Sequence, residues 1–359
     1  MRPYQYSFGE KSLYVHHRKR IVGLDMAKGF TVLFIPSIHA VMVYSNSTVH
    51  QSWLGFILGF IAEWPGAQLL MLAMGMSFSL SRKAYRYHFI RALAIFGLGY
   101  VLNFCKFWIP YFFDLLPEAL LNDLHFAHSF PKGLQLILIG DILQFAGLSL
   151  LLMTLLKQSI HYLAFTIIIA YMVIICSPLL WDFHHSNGFI DHLLHLAGGA
   201  PDDVFFPLFP WLAYPLIGMA TGYYLQLPFA EIKPLFVTGC IAFLGAILIR
   251  FLLYHFPDTT FWRTYPDITT MHLGFVMMWI TSWLWLGMKK EKLVISSKLF
   301  LVLQFCGRHI TLIYVTQWLI IFWLLPLIGY HSLNIAQSIL AISLVNILVF
   351  CLIVYIVKK

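Results

Sequence analysis

Charge is what this chain has least of. Only 11% of its 359 residues are Asp, Glu, Lys or Arg, where a soluble globular protein carries about 25%. Hydrophobic residues make up 60% and the mean hydropathy is +0.80. A soluble globular chain is excluded, and the length leaves no room for a large soluble domain beside a helical bundle. No internal repeat, low-complexity tract or linker is visible. The cysteines (Cys105, Cys176, Cys240, Cys306, Cys351) lie in or beside apolar runs at spacings that make no metal-ligand pair. Neither a disulfide nor a zinc site is therefore expected. The first apolar run is too long for a signal-peptide core and lacks a small-residue cleavage site, so it is expected to stay as an anchor. Barrel strands are excluded too, because the apolar runs are long and continuous rather than alternating.

What is present is a series of apolar runs near or above the ~20 residues that cross a bilayer. Ten can be read: 23–44, 53–81, 89–108, 134–156, 159–181, 207–225, 234–255, 267–288, 307–326 and 335–357. The expected fold is an all-α polytopic membrane helix bundle of about ten transmembrane helices. A basic arm over residues 1–22 precedes a single transmembrane domain over 23–357. Ten spans put both termini on one side. That side collects 17 basic residues, from Arg2, Lys11, Arg18, Lys19 and Arg20 to Lys358 and Lys359, against Lys132 and Arg263 on the other. The positive-inside rule makes the basic side, and both termini, cytoplasmic. The net charge of +8 follows from this bias, so it carries no nucleic-acid signal.

Ionisable groups inside apolar spans are costly and read by default as functional. Asp25, Lys28 and His39 share the first span, and offsets of 3 and 11 residues put them on one side of a helix. Lys28 and His39 are about 16 Å apart along the axis. Pro36 removes the bond to the Val32 carbonyl and is expected to open the helix one turn below His39. With the orientation fixed, Asp25, Lys28 and Arg308 lie at cytoplasmic ends. His39, Glu63, Asp141, Arg250, Asp267 and His272 lie in outer halves, with Lys106 at an outer end. The cytoplasmic layer suits an anion: Arg20, Lys28, Arg308 and the Arg82/Lys83/Arg86 loop would surround phosphates. The bland reading of Asp25 and Lys28 is an i,i+3 ion pair with a snorkelling base. Histidine is the side chain best suited to move protons near neutral pH. The outer-layer partners of His39 are Glu63, Asp141, Gln144 and His272; a carboxylate among them would orient its ring, and the sequence does not choose between them; each also suits a buried anchor between helices.

Two outer loops are long. Residues 109–133 carry Asp114, Glu118, Asp123, His125 and His128. Residues 182–206 carry Asp182, His184, His185, Asp191, His192, His195, Asp202 and Asp203. Although His192 and His195 are i,i+3 and Asp191 and His195 are i,i+4, no recognised zinc spacing appears. The second loop reads as a polar surface at the acceptor entrance, with no metal expected. Pro207, Pro210 and Pro215 argue for a broken or re-entrant entry to the following span.

Arg20…Leu24-Asp25…Lys28-Gly29, with His39 eleven residues after Lys28, resembles the opening helix of the transmembrane acyltransferase superfamily. That group includes the acyltransferase-3 proteins and the relatives of heparan-α-glucosaminide N-acetyltransferase. Pro65-Gly-Ala-Gln through Met76-Ser77 and Ser81-Arg82-Lys83 are similar to its second helix. Arg91 with Gly97 and Gly99, Asp141-Ile-Leu-Gln144-Phe-Ala-Gly147, Phe206-Pro-Leu-Phe-Pro-Trp211 and Gly307-Arg308…Tyr314 also match. The resemblance implies an integral-membrane acyl-CoA-dependent O- or N-acyltransferase. Acyl-CoA, most simply acetyl-CoA, would enter from the cytoplasm, bound by Arg20, Lys28, Arg82, Lys83 and Arg308. The acceptor would be an extracytoplasmic sugar or glycan hydroxyl or amine. His39 falls on the family's histidine, as general base or as a brief acyl carrier, and Asp25 on its motif acid, with Glu63, Asp141 and His272 as candidate catalytic partners. The chain departs from the family in having Lys28 for its usual Arg, and Gln317 where a His is often found. Short loops point to a bacterial inner membrane, with membrane lipid as surroundings and the oligomeric state, monomer or homodimer, left open. The alternative is a proton-coupled transporter or an acyl or lipid carrier without transferase activity, which the lack of inverted repeats disfavours. A structural scaffold is disfavoured by the two polar layers.

Overall fold

The computed structural model describes residues 21–124, 130–181, 183–201, 203–253, 260–289 and 297–358. Arg20, His125, His128, Asp182 and Asp202 fall outside these. Among the described residues there is no β-strand, only isolated bridges at Ser45–Leu333 and Gly140–Val204. The bundle is therefore all-α, and among the described residues eight helical segments, Trp53–Ser79 counted as one, are long and apolar enough to cross a membrane. Helices answer the bilayer's demand that every backbone group be satisfied within its own segment.

Helix α1 (Val22–Tyr44) is the central element. It packs against α2 (Trp53–Glu63), α10 (Pro266–Lys289), α11 (Lys298–Arg308), α12 (Ile310–Ile328) and α13 (Ile335–Lys358). It runs unbroken through Pro36. The break expected from sequence thus reduces to one missing N–H donor, because neighbours on every side hold the backbone helical. Helix α2 stops at Glu63, and α3 (Ala67–Ser79) begins after Trp64-Pro65-Gly66. Thr31 Oγ1 of α1 donates to the freed Pro65 carbonyl at 2.5 Å.

Helix α4 (Tyr85–Asn103) continues through a π-helical turn at Phe104–Trp108. Helix α5 (Ile142–Leu156) packs against α4. The expected span 134–156 is not continuous. Lys132–Leu138 is a separate short helix, and Gly140 pairs with the extended chain at Val204. Asp141 then starts α5 as its N-cap, closing a capping box with Gln144. Helix α6 (Tyr162–Cys176) leads over a surface segment to α7 (Gly188–Gly198). The proline-rich entry to the next span is broken as expected: Phe209 is non-helical, and α8 covers only Ala213–Tyr224. Helix α9 (Ile232–Leu253) packs on α10 and turns Ile241, Leu244, Leu248 and Phe251 outward. That apolar exposure fits a lipid-facing position.

Small residues bring backbones together where the site needs them. Gly29 of α1 and Gly307 of α11 sit at their crossing, where a Cβ on either would collide with the other helix's backbone. A close small-residue crossing of this kind is common in membrane bundles. It brings the end of α11, and so Arg308, beside the first turns of α1.

Candidate functional site

A cavity of about 1810 Å³ extends through the bundle beside α1. Its wall near the start of α1 carries Asp25, Lys28, Arg82, Arg91 and Arg308. Farther along α1 it carries His39, Lys106, Asp141, Tyr314 and Trp318. Beyond these, Trp262 and His331 line it, where His331 hydrogen-bonds the Val43 carbonyl. Apart from its polar groups the wall is apolar, with Ile35, Met71 and Phe107 among its residues, as ligand clefts usually are.

At the basic end, Lys28 Nζ lies 2.7 Å from Asp25 Oδ1 as an i,i+3 pair. Arg308 donates to Gln304 Oε1 at 3.1 Å, and Arg82 is exposed at the cavity rim. Arg91, read in the sequence for topology and as the start of a third helix, joins them. Lys83 does not. Its ammonium lies over the Tyr87 ring at 5.5 Å, and it lines a separate small cavity with His88 and Lys157.

Near His39, the histidine ring and the Asp141 carboxylate are each held by defined partners. The ring of His39 stacks on Trp318 at 4.1 Å and 21°. Its Nδ1 is 3.1 Å from Gln317 Oε1. The Gln317 amide nitrogen donates to the Tyr314 carbonyl at 3.2 Å, which turns the amide oxygen toward the histidine. In the neutral ring Nδ1 thus carries the proton and donates it, which leaves the lone pair on Nε2. Tyr314, Gln317 and Trp318 follow the i, i+3, i+4 spacing that presents one face of α12.

Asp141 gathers several donors on its carboxylate. Its Oδ1 accepts from Ile142 N at 2.7 Å; its Oδ2 accepts from Tyr314 O–H at 2.9 Å and from Lys106 Nζ at 3.1 Å. Lys106 is 2% exposed and Asp141 8%, so each charge depends on the other. Lys106 comes from the π-helical turn of α4, a local widening often found at functional positions. Its ammonium also lies 4.6 Å from the centre of the Trp318 ring, opposite in kind to the histidine that stacks there.

Of the partners expected for His39, none of Glu63, Asp141, Gln144 and His272 orients the ring directly; Gln317 holds that place. Glu63 is exposed and lines the cavity near the α2–α3 break. Gln144 is taken up by the capping of α5. His272 is buried outside the cavity wall, edge-on to Trp64 at 5.2 Å. A neutral amide is neither acid nor base, so Gln317 stands out in the sequence only by its spacing from Tyr314 and by occupying the place of a histidine often found in the family it resembles.

A family model described as heparan-alpha-glucosaminide N-acetyltransferase, catalytic, matches residues 20–257. The chain belongs to this family. The matched region contains Asp25, Lys28, His39, Lys106 and Asp141; Arg308, Tyr314, Gln317 and Trp318 lie beyond it. Comparison with curated proteins and with solved structures gives no significant match.

Proposed function

We propose that this membrane protein moves an acyl group, most simply acetyl, from acyl-CoA to a sugar or glycan hydroxyl or amine on the other side of the membrane. The observation that carries this reading is the cavity whose wall holds both the basic group at Lys28, Arg82 and Arg308 and the His39 ring. The 17-to-2 bias of basic residues makes the basic end cytoplasmic, in what we take to be a bacterial inner membrane. There the phosphates of a CoA would meet Lys28, Arg82 and Arg308. The pantetheine arm would lie along α1, covering the ~16 Å between Lys28 and His39, and bring the thioester to the histidine.

His39 Nε2, with its lone pair, would accept the proton of the acceptor's O–H or N–H. The acceptor oxygen or nitrogen then bonds to the thioester carbon, the C–S bond breaks, and the CoA sulfur leaves with the bonding pair. The proton held on His39 passes to that thiolate, which restores the neutral ring. Gln317 would stabilise the tautomer that this requires, and Trp318 would limit ring rotation. Lys28 supplies a point charge to a phosphate, without the bidentate geometry an arginine would offer.

The test is acetyl-CoA turnover by purified protein, followed as free thiol release with glucosamine as probe acceptor. Wild type is expected to release CoA and to acetylate the amine. Absence of both, with CoA giving no thermal stabilisation of the protein, would overturn the reading and favour a carrier.

A further inference from the structure

A second cluster of chemistry-bearing side chains lies apart from the cavity, on the surface segment between α6 and α8. Asp191 and His195 stand one turn apart on α7, and the chain just before α7 brings His184 against them. His184 Nδ1 and His195 Nε2 are 3.2 Å apart. Asp191 Oδ1 is 3.6 Å from the first and 3.7 Å from the second. Four ligands at the zinc–nitrogen distance of ~2.0–2.1 Å stand at tetrahedral edges of roughly 3.3–3.4 Å. The three atoms thus stand close to three corners of one tetrahedron.

We infer that His184, Asp191 and His195 form a binding site for a divalent metal of the zinc class. Chemistry favours it: two imidazoles and one carboxylate suit zinc better than calcium or magnesium, which prefer oxygen throughout. The surroundings favour it as well. His195, only 4% exposed, has its other ring nitrogen 3.3 Å from Asp203 Oδ2, an ion-pair distance that puts a carboxylate behind the ring, where metal-ligating histidines commonly have one. Asp191 Oδ1 accepts from the His185 backbone N–H at 2.9 Å, which holds the carboxylate in place. The two carboxylates balance the charge of a divalent ion. The fourth position is left to water on the side of His184, whose side chain is 58% exposed.

The sequence gives no such expectation, because the third ligand lies seven residues before Asp191 with no recognised zinc spacing. The consequence is structural. Asp203 sits in the segment where its carbonyl accepts from Gly140 N and where Phe205 N donates to the Gly140 carbonyl, both at 2.8 Å. A metal held by α7 would fasten this segment, and with it the Phe205 and Phe206 side chains of the cavity wall.

The test uses the full chain purified in detergent, with metal content measured by mass spectrometry and Zn²⁺ titrated into chelator-treated protein. About one zinc per chain is expected, with a thermal midpoint that chelator lowers and Zn²⁺ restores. Co²⁺ in place of zinc should give a tetrahedral visible spectrum. His184→Ala, an exposed change that leaves the helix intact, should weaken zinc binding at least ~100-fold, and Asp203→Asn by about 10- to 100-fold. His185→Ala, which removes a ring outside the triangle, should leave binding unchanged. Protein that neither retains zinc nor gains stability from it would overturn the inference. So would zinc binding that His184→Ala leaves intact.

Discussion

The two polar ends of the cavity are built differently. At the basic end Arg82 and Arg308 are exposed, and Lys28 has one near neighbour in Asp25. Such side chains can follow a ligand, and losing one leaves the others in place. Around His39 the side chains are held by defined hydrogen bonds: Gln317 for the ring, and Tyr314 and Lys106 for Asp141. That contrast separates a region suited to holding a flexible polyanion from one suited to fixing a single proton acceptor. Binding tolerates adaptable charges, whereas proton transfer depends on geometry within hydrogen-bond reach.

The sharpest break in this contrast is His39→Ala. It should fold and insert as wild type but lower acyl transfer by about 10²- to 10⁴-fold, read as kcat with acetyl-CoA. Next comes Asp141→Ala, which leaves Lys106 buried without its counter-charge. The expected loss is stability, about 3–5 kcal/mol, measured by thermal or denaturant unfolding in detergent; an unchanged midpoint would mean the pair is solvated. Gln317→Ala frees the His39 tautomer without removing the base. Its kcat should fall roughly 10-fold, one hydrogen bond's worth, with KM unchanged. Lys28→Ala moves the other end: KM for acetyl-CoA should rise several-fold while kcat holds, the pattern of lost uniform binding. The smallest effect belongs to Lys83→Ala, whose ammonium faces Tyr87 rather than the cavity. Both constants should stay within about twofold, and a KM effect equal to that of Lys28→Ala would erase the distinction between the two lysines.

The bundle itself was legible because bilayer-length apolar runs are a strong signal, and eight of the expected spans stand as long helices. The span through Asp141 was misread for a definable reason. Asp141-Ile-Leu-Gln144 reads as two polar residues in a hydrophobic run, yet it has the spacing of a capping box and starts a helix. The stripe of Lys28 and His39 came directly from helical periodicity, and both line one cavity. The partner of His39 does not follow from periodicity, because acid–base pairing points to a carboxylate and the fold supplies the Gln317 amide. Lys106 was visible only as a charge at a span's end, since a π-helical turn leaves no pattern in the sequence. The His184 cluster was hidden because Asp191 and His195 share a helix while the third ligand comes from the chain before it.

The proposed transfer depends on one continuous route from the basic end to His39. A cryo-electron microscopy map of the protein with CoA tests it most directly. Phosphate density is expected among Lys28, Arg82 and Arg308, with the sulfur within about 3.5 Å of the His39 ring. CoA bound at the basic end with its thiol directed away from α1, or side chains filling the space between Lys28 and His39, would contradict it.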